Sequence, residues 1–264
     1  MIQHQQSDVT DHVRQWNIAI GAFFFKYRNA IFPIFFVLAA LIGRPRIVET
    51  RALNRLIGHG GIVVALLGQA VRLLTVGSAS IDRGGKRGRV YANRLLQSGL
   101  YAVIRNPLYV SDVLIALGIT MVAGAPFIDF IVLPLFLFIY QAIIAAEETY
   151  LQRKFGTRYA RYCARVPRFL PSMRHLMPAL THLQWDWRRG LRKEMSTMTG
   201  LVIGLILFPV WRTYFLKGPA AARTHLLVAL SWVGAVLALF AGLVYLKRHR
   251  RLFYAATRRP GVTQ

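Results

Sequence analysis

The sequence predicts an all-α, polytopic helical membrane protein with about six transmembrane helices and cytoplasmic helical or loop segments between them. Three observations carry this. Apolar residues make up 55% of the 264-residue chain and mean hydropathy is +0.40. Several apolar runs approach the ~20 residues that cross a bilayer. The formal charge of +24 is carried by 34 Lys and Arg against 10 Asp and Glu, and it collects between the apolar runs. In a soluble chain such a charge would suggest nucleic acid. Here it reads as the Lys/Arg enrichment of cytoplasmic loops, with membrane lipids as partners and no nucleic acid.

The N-terminus, MIQHQQSDVTDHVRQW, lacks a basic region followed by an apolar core and a cleavage site, so no cleaved signal peptide is expected. Cys163 is the only cysteine, which excludes intramolecular disulfides and multi-cysteine metal sites, and no metal is expected. It reads best as a small filler residue.

In chain order, Lys26 and Arg28 interrupt the first apolar segment and leave a short span, Tyr27 to Ile42, with residues 17–25 read as interfacial or as its wet end and both basic side chains snorkelling. An Arg-rich linker follows. The second span, Leu56 to Val76, carries Gly58, Gly60, Gly61 and Gly68, which allow close helix approach. His59 and Gln69 are expected to hydrogen-bond between helices there, and Arg72 to snorkel. The next loop, SASIDRGGKRGRVYANRLLQS, has neither the spacing nor the preceding strand of a phosphate loop. Spans three and four, Leu108 to Gly124 and Pro126 to Ala146, are joined by so short a turn that they must form an antiparallel hairpin.

That hairpin has a consequence for chemistry. It returns the chain to the face it left, so Arg105, Asn106, Tyr109 and Asp112 are expected beside Glu147 and Glu148. The two glutamates end an apolar run, where carboxylates are costly. Positions three and four residues after them hold Tyr150, Leu151 and Gln152, so their partners must come from elsewhere in the chain. Asn106 and Pro107 also suit an N-cap and a first helical position. A helix interrupted at Gly156 then leaves the bilayer and ends at Val166-Pro167-Arg168-Phe169-Leu170-Pro171. Residues 172–196 read as interfacial. Two further spans, Met198 to Leu216 and Leu226 to Leu246, and a basic tail complete the chain. Three sections result: an N-terminal segment with the first span (1–55), a membrane core (56–171), and an interfacial segment with two C-terminal spans (172–264).

Gly-x-Tyr…Arg-x-Pro-x-Tyr, an apolar hairpin, Glu-Glu-x-x-Leu, Phe-Gly-x-x-Tyr-x-x-Tyr and Val-Pro-Arg-x-x-Pro occur in that order over roughly residues 60 to 171. The series resembles the integral-membrane methyltransferases related to isoprenylcysteine carboxyl methyltransferase and phospholipid N-methyltransferase. It departs from them in having Asn106 where the family usually has His, and Ser111 where Gly is frequent.

The resemblance implies S-adenosylmethionine as cofactor and a lipid-like methyl acceptor. The distribution of Lys and Arg places the site and both termini on the cytoplasmic face of a membrane, expected to be a bacterial inner membrane, although the Arg-rich linker at 44–55 then falls outside. It implies Gly99, Tyr101, Asn106, Pro107, Tyr109, Glu147 and Glu148 as cofactor-binding residues, Arg105, Asp112 and Glu148 as catalytic residues, and Arg168 as substrate-binding. The residues alone ask only for a ligand with charged and polar groups. O-methylation of a carboxylate is expected over N-methylation of a phospholipid amine. A structural ion-pair network, a non-catalytic lipid binder and a nicotinamide-dependent membrane reductase remain as alternatives.

Overall fold

The computed structural model describes residues 2–46, 50–78, 91–181 and 183–249. The Gly-rich stretch 79–90 and the basic tail beyond His249 lie outside the described residues. Among those described, every regular element is helical: α1 (Ile2–Ile42), α2 (Arg51–Ser78), a 3-10 turn (Gly99–Ala102), α3 (Pro107–Ala123), a π turn (Ile128–Val132), α4 (Leu133–Phe155), α5 (Thr157–Arg165), α6 (Met173–Thr181), α7 (Trp187–Lys217) and α8 (Pro219–Arg248).

Among the described residues, four helices are long and apolar enough to cross a membrane: α2, α4 with its π turn, α7 and α8. The apolar halves of α1, Ile18–Arg28 and Ala30–Ile42, are bent by 82° and would make a fifth span if counted as one. At 17 residues, α3 is shorter than the ~20 that cross a bilayer untilted. The expected count of six is therefore not reached by length and composition.

The α2–α3 pair is the tightest in the molecule, and its glycines explain why. A Cβ at Gly118 would collide with the Gly61 carbonyl and the Ala65 amide, and one at Gly68 would lie 2.8 Å from the Ser111 carbonyl. Small residues on facing stripes let two backbones touch. Gly124 ends α3 in a left-handed conformation with φ 58°, and α4 returns beside α1.

Several expectations need correction. Residues 17–25 are helix packed on α4 rather than a wet end, since a Cβ at Gly21 would collide with the Ala142 carbonyl and Phe25 is buried. Arg28 donates to the Tyr109 hydroxyl at 3.3 Å instead of snorkelling. Arg72 does not snorkel either, being buried between carboxylates. Gln69 is buried without the expected interhelical hydrogen bond, and His59 is exposed.

The fifth span begins eleven residues before Met198, at Trp187. Asp186 sets that start by accepting the Arg189 amide at 3.0 Å as an N-cap. The end is anchored on α2, where Asp186 N–H reaches the Gly77 carbonyl at 3.1 Å and Trp185 Nε1 the Leu73 carbonyl at 3.3 Å. Part of the predicted interfacial segment is thus helix α7, and only α6 remains a separate short helix.

Candidate active site

At the end of the bundle where α3 begins and α4 finishes, two stretches of backbone run side by side. The Arg105 amide bonds to the Pro167 carbonyl at 2.9 Å and the Ser172 amide to the Val103 carbonyl at 3.0 Å. The link depends on α5, whose Tyr159 and Tyr162, with Val166 just past its end, pack with Leu95, Leu151 and Phe155. Gly156, with φ 51°, gives the break between α4 and α5 that lets this short helix fold back. Arg168 is thereby carried opposite Arg105.

Between them sits Glu148. Its Oε1 lies 3.3 Å from Arg105 Nη1 and its Oε2 3.0 Å from Arg168 Nη2. Asn106 Nδ2 donates to Oε1 at 3.3 Å and to the Arg168 carbonyl at 3.4 Å. Asn106 occupies the N-cap position of α3, but its side chain makes no cap bond and its amide nitrogen is turned to Glu148 instead. Pro107 fills the first helical position and is fully buried. Arg105 also donates to Cys163 Sγ at 3.0 Å, so this cysteine is a polar contact as well as a filler. Burial opposes the charge of Arg105, but Glu148 and then Cys163 more than offset it and its pKa is raised. Two donors remain open: Arg105 Nε and Arg168 Nε are buried without a hydrogen-bond acceptor.

A second cluster lies one turn further along α3. The Tyr109 hydroxyl donates to Glu147 Oε2 at 2.6 Å and accepts from Arg28 of α1. The Tyr109 ring meets Tyr140 edge to face at 5.6 Å, and Tyr140 packs on Phe136 and Phe32. The result is an aromatic wall next to a carboxylate.

Asp112 turns to a third set of partners. Its Oδ1 pairs with Arg72, and its Oδ2 accepts from Tyr140 at 3.1 Å. Arg72 in turn reaches Glu194 of α7 at 2.6 Å. Asp112 is therefore placed near the other site residues but not joined to Glu147 or Glu148.

Gly99 and Tyr101 lie in the 3-10 turn. Gly99 takes φ 62°, a conformation that favours glycine, and the Tyr162 hydroxyl donates to the Tyr101 carbonyl at 2.8 Å. Burial first, then the Glu147 carboxylate, pushes the Tyr101 hydroxyl well above its usual pKa, so it stays a neutral donor. Burial does the same for Tyr159, with Glu148 the next cause.

Sequence reading therefore placed Arg105, Asn106, Tyr109, Glu147, Glu148 and Arg168 at one end of the bundle, and the structure brings them together. It missed Arg28, Arg72, Tyr140 and Glu194. The one available signal was scarcity: Glu194 is one of ten acidic residues and stands in a basic stretch, RRGLRKE.

The phospholipid methyltransferase family matches residues 61–158. The chain is 30% identical over 143 residues to the cobalt-zinc-cadmium resistance protein CzcN of Cupriavidus metallidurans, covering 50% of this chain and 64% of that one. It is 32% identical over 112 residues to the protein-S-isoprenylcysteine O-methyltransferase of Schizosaccharomyces pombe, covering 40% of this chain and 45% of that one. The chain thus spans about half to two thirds of the length of these relatives. No solved structure matches it significantly.

Proposed function

We propose, from the match of residues 61–158 to the phospholipid methyltransferase family, that this chain transfers a methyl group from S-adenosylmethionine to an anionic oxygen of a lipid-like acceptor. The observation that carries the reading is the Arg105–Glu148–Arg168 cluster with its two open donors. Two guanidiniums share one carboxylate, and the buried N–H groups that remain would bind a carboxylate or similar oxyanion. Leaving such donors unmet costs ~1–3 kcal/mol each, so ligand binding gains from satisfying them.

The residues present fit the donor. When bound, S-adenosylmethionine supplies a methyl group on a cationic sulfur. Glu147 and Glu148 are the acceptors for its hydroxyl or ammonium groups, the Tyr109–Tyr140 wall offers aromatic faces, and Gly99, Tyr101, Asn106 and Pro107 shape the turn leading into α3. Arg105 and Arg168 hold the acceptor oxyanion in place for in-line attack, which needs positioning more than covalent help.

A carboxylate acceptor needs no general base, and this suits the site. Both Asp112 oxygens are engaged, one by Arg72 and one by Tyr140, so proton removal by Asp112 would require breaking a contact. Asp112 acts instead as an electrostatic support beneath the aromatic wall. The second reading, N-methylation of a phospholipid amine, is favoured by the description of the matched family and would use Glu147 as base.

The site faces the cytoplasm in this account, because its end of the bundle carries the eleven Lys and Arg between Arg153 and Lys193. The direct test is titration of the purified protein with S-adenosylmethionine and with a nicotinamide nucleotide. Saturable binding of the first alone supports methyl transfer, and binding of the second alone would assign a reductase.

A further inference from the structure

Glu194 is fully buried on α7, beyond residues 61–158, and has no part in the motif series. Yet its Oε2 lies 2.6 Å from Arg72 Nε, across 122 residues of sequence. Arg72 passes the contact to Asp112 on α3, and Asp112 to Tyr140 on α4 at 3.1 Å. The Tyr140 ring meets Tyr109, whose hydroxyl holds Glu147. A continuous series of polar and aromatic contacts therefore runs from the C-terminal hairpin to the candidate site.

Burying such charges is expensive. Desolvating an ion costs several kcal/mol even after relaxation, and an apolar side chain in its place is often neutral or stabilising. Stability alone therefore does not require the pair. What the pair provides is direction: a guanidinium held at Nε by one carboxylate has its Nη groups aimed in one orientation, towards Asp112. Asp112 then fixes the Tyr140 hydroxyl and, through the ring contact, the Tyr109 side chain beside Glu147. Glu194 comes from α7, which is docked on α2 by Asp186 and Trp185, so the orientation depends on how the C-terminal hairpin sits.

We propose that Glu194 is a positioning residue of the methyl-transfer site: through Arg72, Asp112 and Tyr140 it sets the geometry of Tyr109 and Glu147, making the C-terminal hairpin part of the working site. This rests on the methyltransferase reading, and it gives α7 and α8 a role in that reading.

The test compares full-length parent, Glu194→Gln, Tyr140→Phe and the double variant, with S-adenosylmethionine affinity and melting temperature measured on each. Glu194→Gln keeps the shape and a hydrogen-bond acceptor, and should weaken binding by roughly two- to thirty-fold, the range for a network member that touches neither ligand. The double variant should bind no more weakly than the weaker single variant, because both changes cut the same series. If Glu194→Gln fails to fold, Glu194→Asp keeps the charge that Arg72 needs but withdraws it by one methylene, and should fold while binding more weakly than the parent. Parent-like affinity in the folded variant, with only the melting temperature lowered, would overturn the proposal and leave a structural pair. Absence of binding by the parent would overturn the methyltransferase reading itself, and this inference with it.

Discussion

Tyr109 donates its hydroxyl to Glu147 at 2.6 Å, 38 residues further along the chain, tying the first turn of α3 to α4. The same hydroxyl accepts from Arg28, so a third helix, α1, is drawn to the point. Two adjacent glutamates thus part company: Glu147 faces a tyrosine and an aromatic wall, and Glu148 faces two arginines and an asparagine.

That division predicts separate effects of substitution. Glu148→Gln keeps the size of the side chain and removes its charge, so S-adenosylmethionine affinity should fall by about 1.5–3 kcal/mol, the worth of a charge-assisted bond. Calorimetric titration of folded protein measures it. An affinity within about twofold of the parent would assign Glu148 to holding Arg105 and Arg168 together and nothing more.

The α2–α3 contact predicts a contrast between two glycines. Gly118→Ala forces a methyl into the Gly61 backbone and should destabilise by about 1–3 kcal/mol. Gly58→Ala meets nothing within 4 Å and should be neutral or slightly stabilising. Thermal unfolding in detergent reads both. Equal losses would mean that the close approach is not what holds the pair.

Much of this architecture was legible in the sequence. A turn too short for anything but an antiparallel hairpin forces Arg105, Asn106 and Tyr109 next to Glu147 and Glu148, whatever else the chain does. Gly61 and Gly68 in the second span announced close packing, whereas Gly58, read the same way, meets nothing within 4 Å. Long-range pairing had no such signal. Nothing local distinguishes an arginine that snorkels from Arg72, which finds Asp112 and Glu194 on two other helices. The start of the fifth span was obscured because Trp187, Arg188, Arg189, Arg192 and Lys193 look interfacial by composition, while the N-cap at Asp186 makes them the first turns of a helix. Asn106 was read correctly as an N-cap position, but its side chain is used by Glu148, a choice that depends on where α4 ends.

Reaction type predicts a pH dependence. A carboxylate acceptor is ionised throughout the neutral range, so its methylation should change little between pH ~6 and ~8. An amine acceptor must lose a proton first and should accelerate over the same interval. A steep rise with pH would favour the phospholipid amine.

Orientation predicts a labelling pattern. With Cys163 replaced by Ala, a cysteine at His175 should be shielded from an impermeant thiol reagent in intact cells, because α6 lies at the site's end of the bundle. A cysteine at Ala220, in the first turn of α8 after α7 has crossed to the other end, should react. The reverse pattern would put the site on the outer face.

The most direct test of the central claim is to incubate the purified, reconstituted protein with methyl-labelled S-adenosylmethionine and a lipid extract, then ask which lipid fraction acquires label. Label is expected in a lipid methyl ester, formed from an acidic lipid and releasing its label as methanol in mild base, and little or none with Glu148→Gln. Label confined to mono- and dimethylated phosphatidylethanolamine would contradict oxygen methylation, and no label in any fraction, with S-adenosylmethionine left unbound, would contradict methyl transfer altogether.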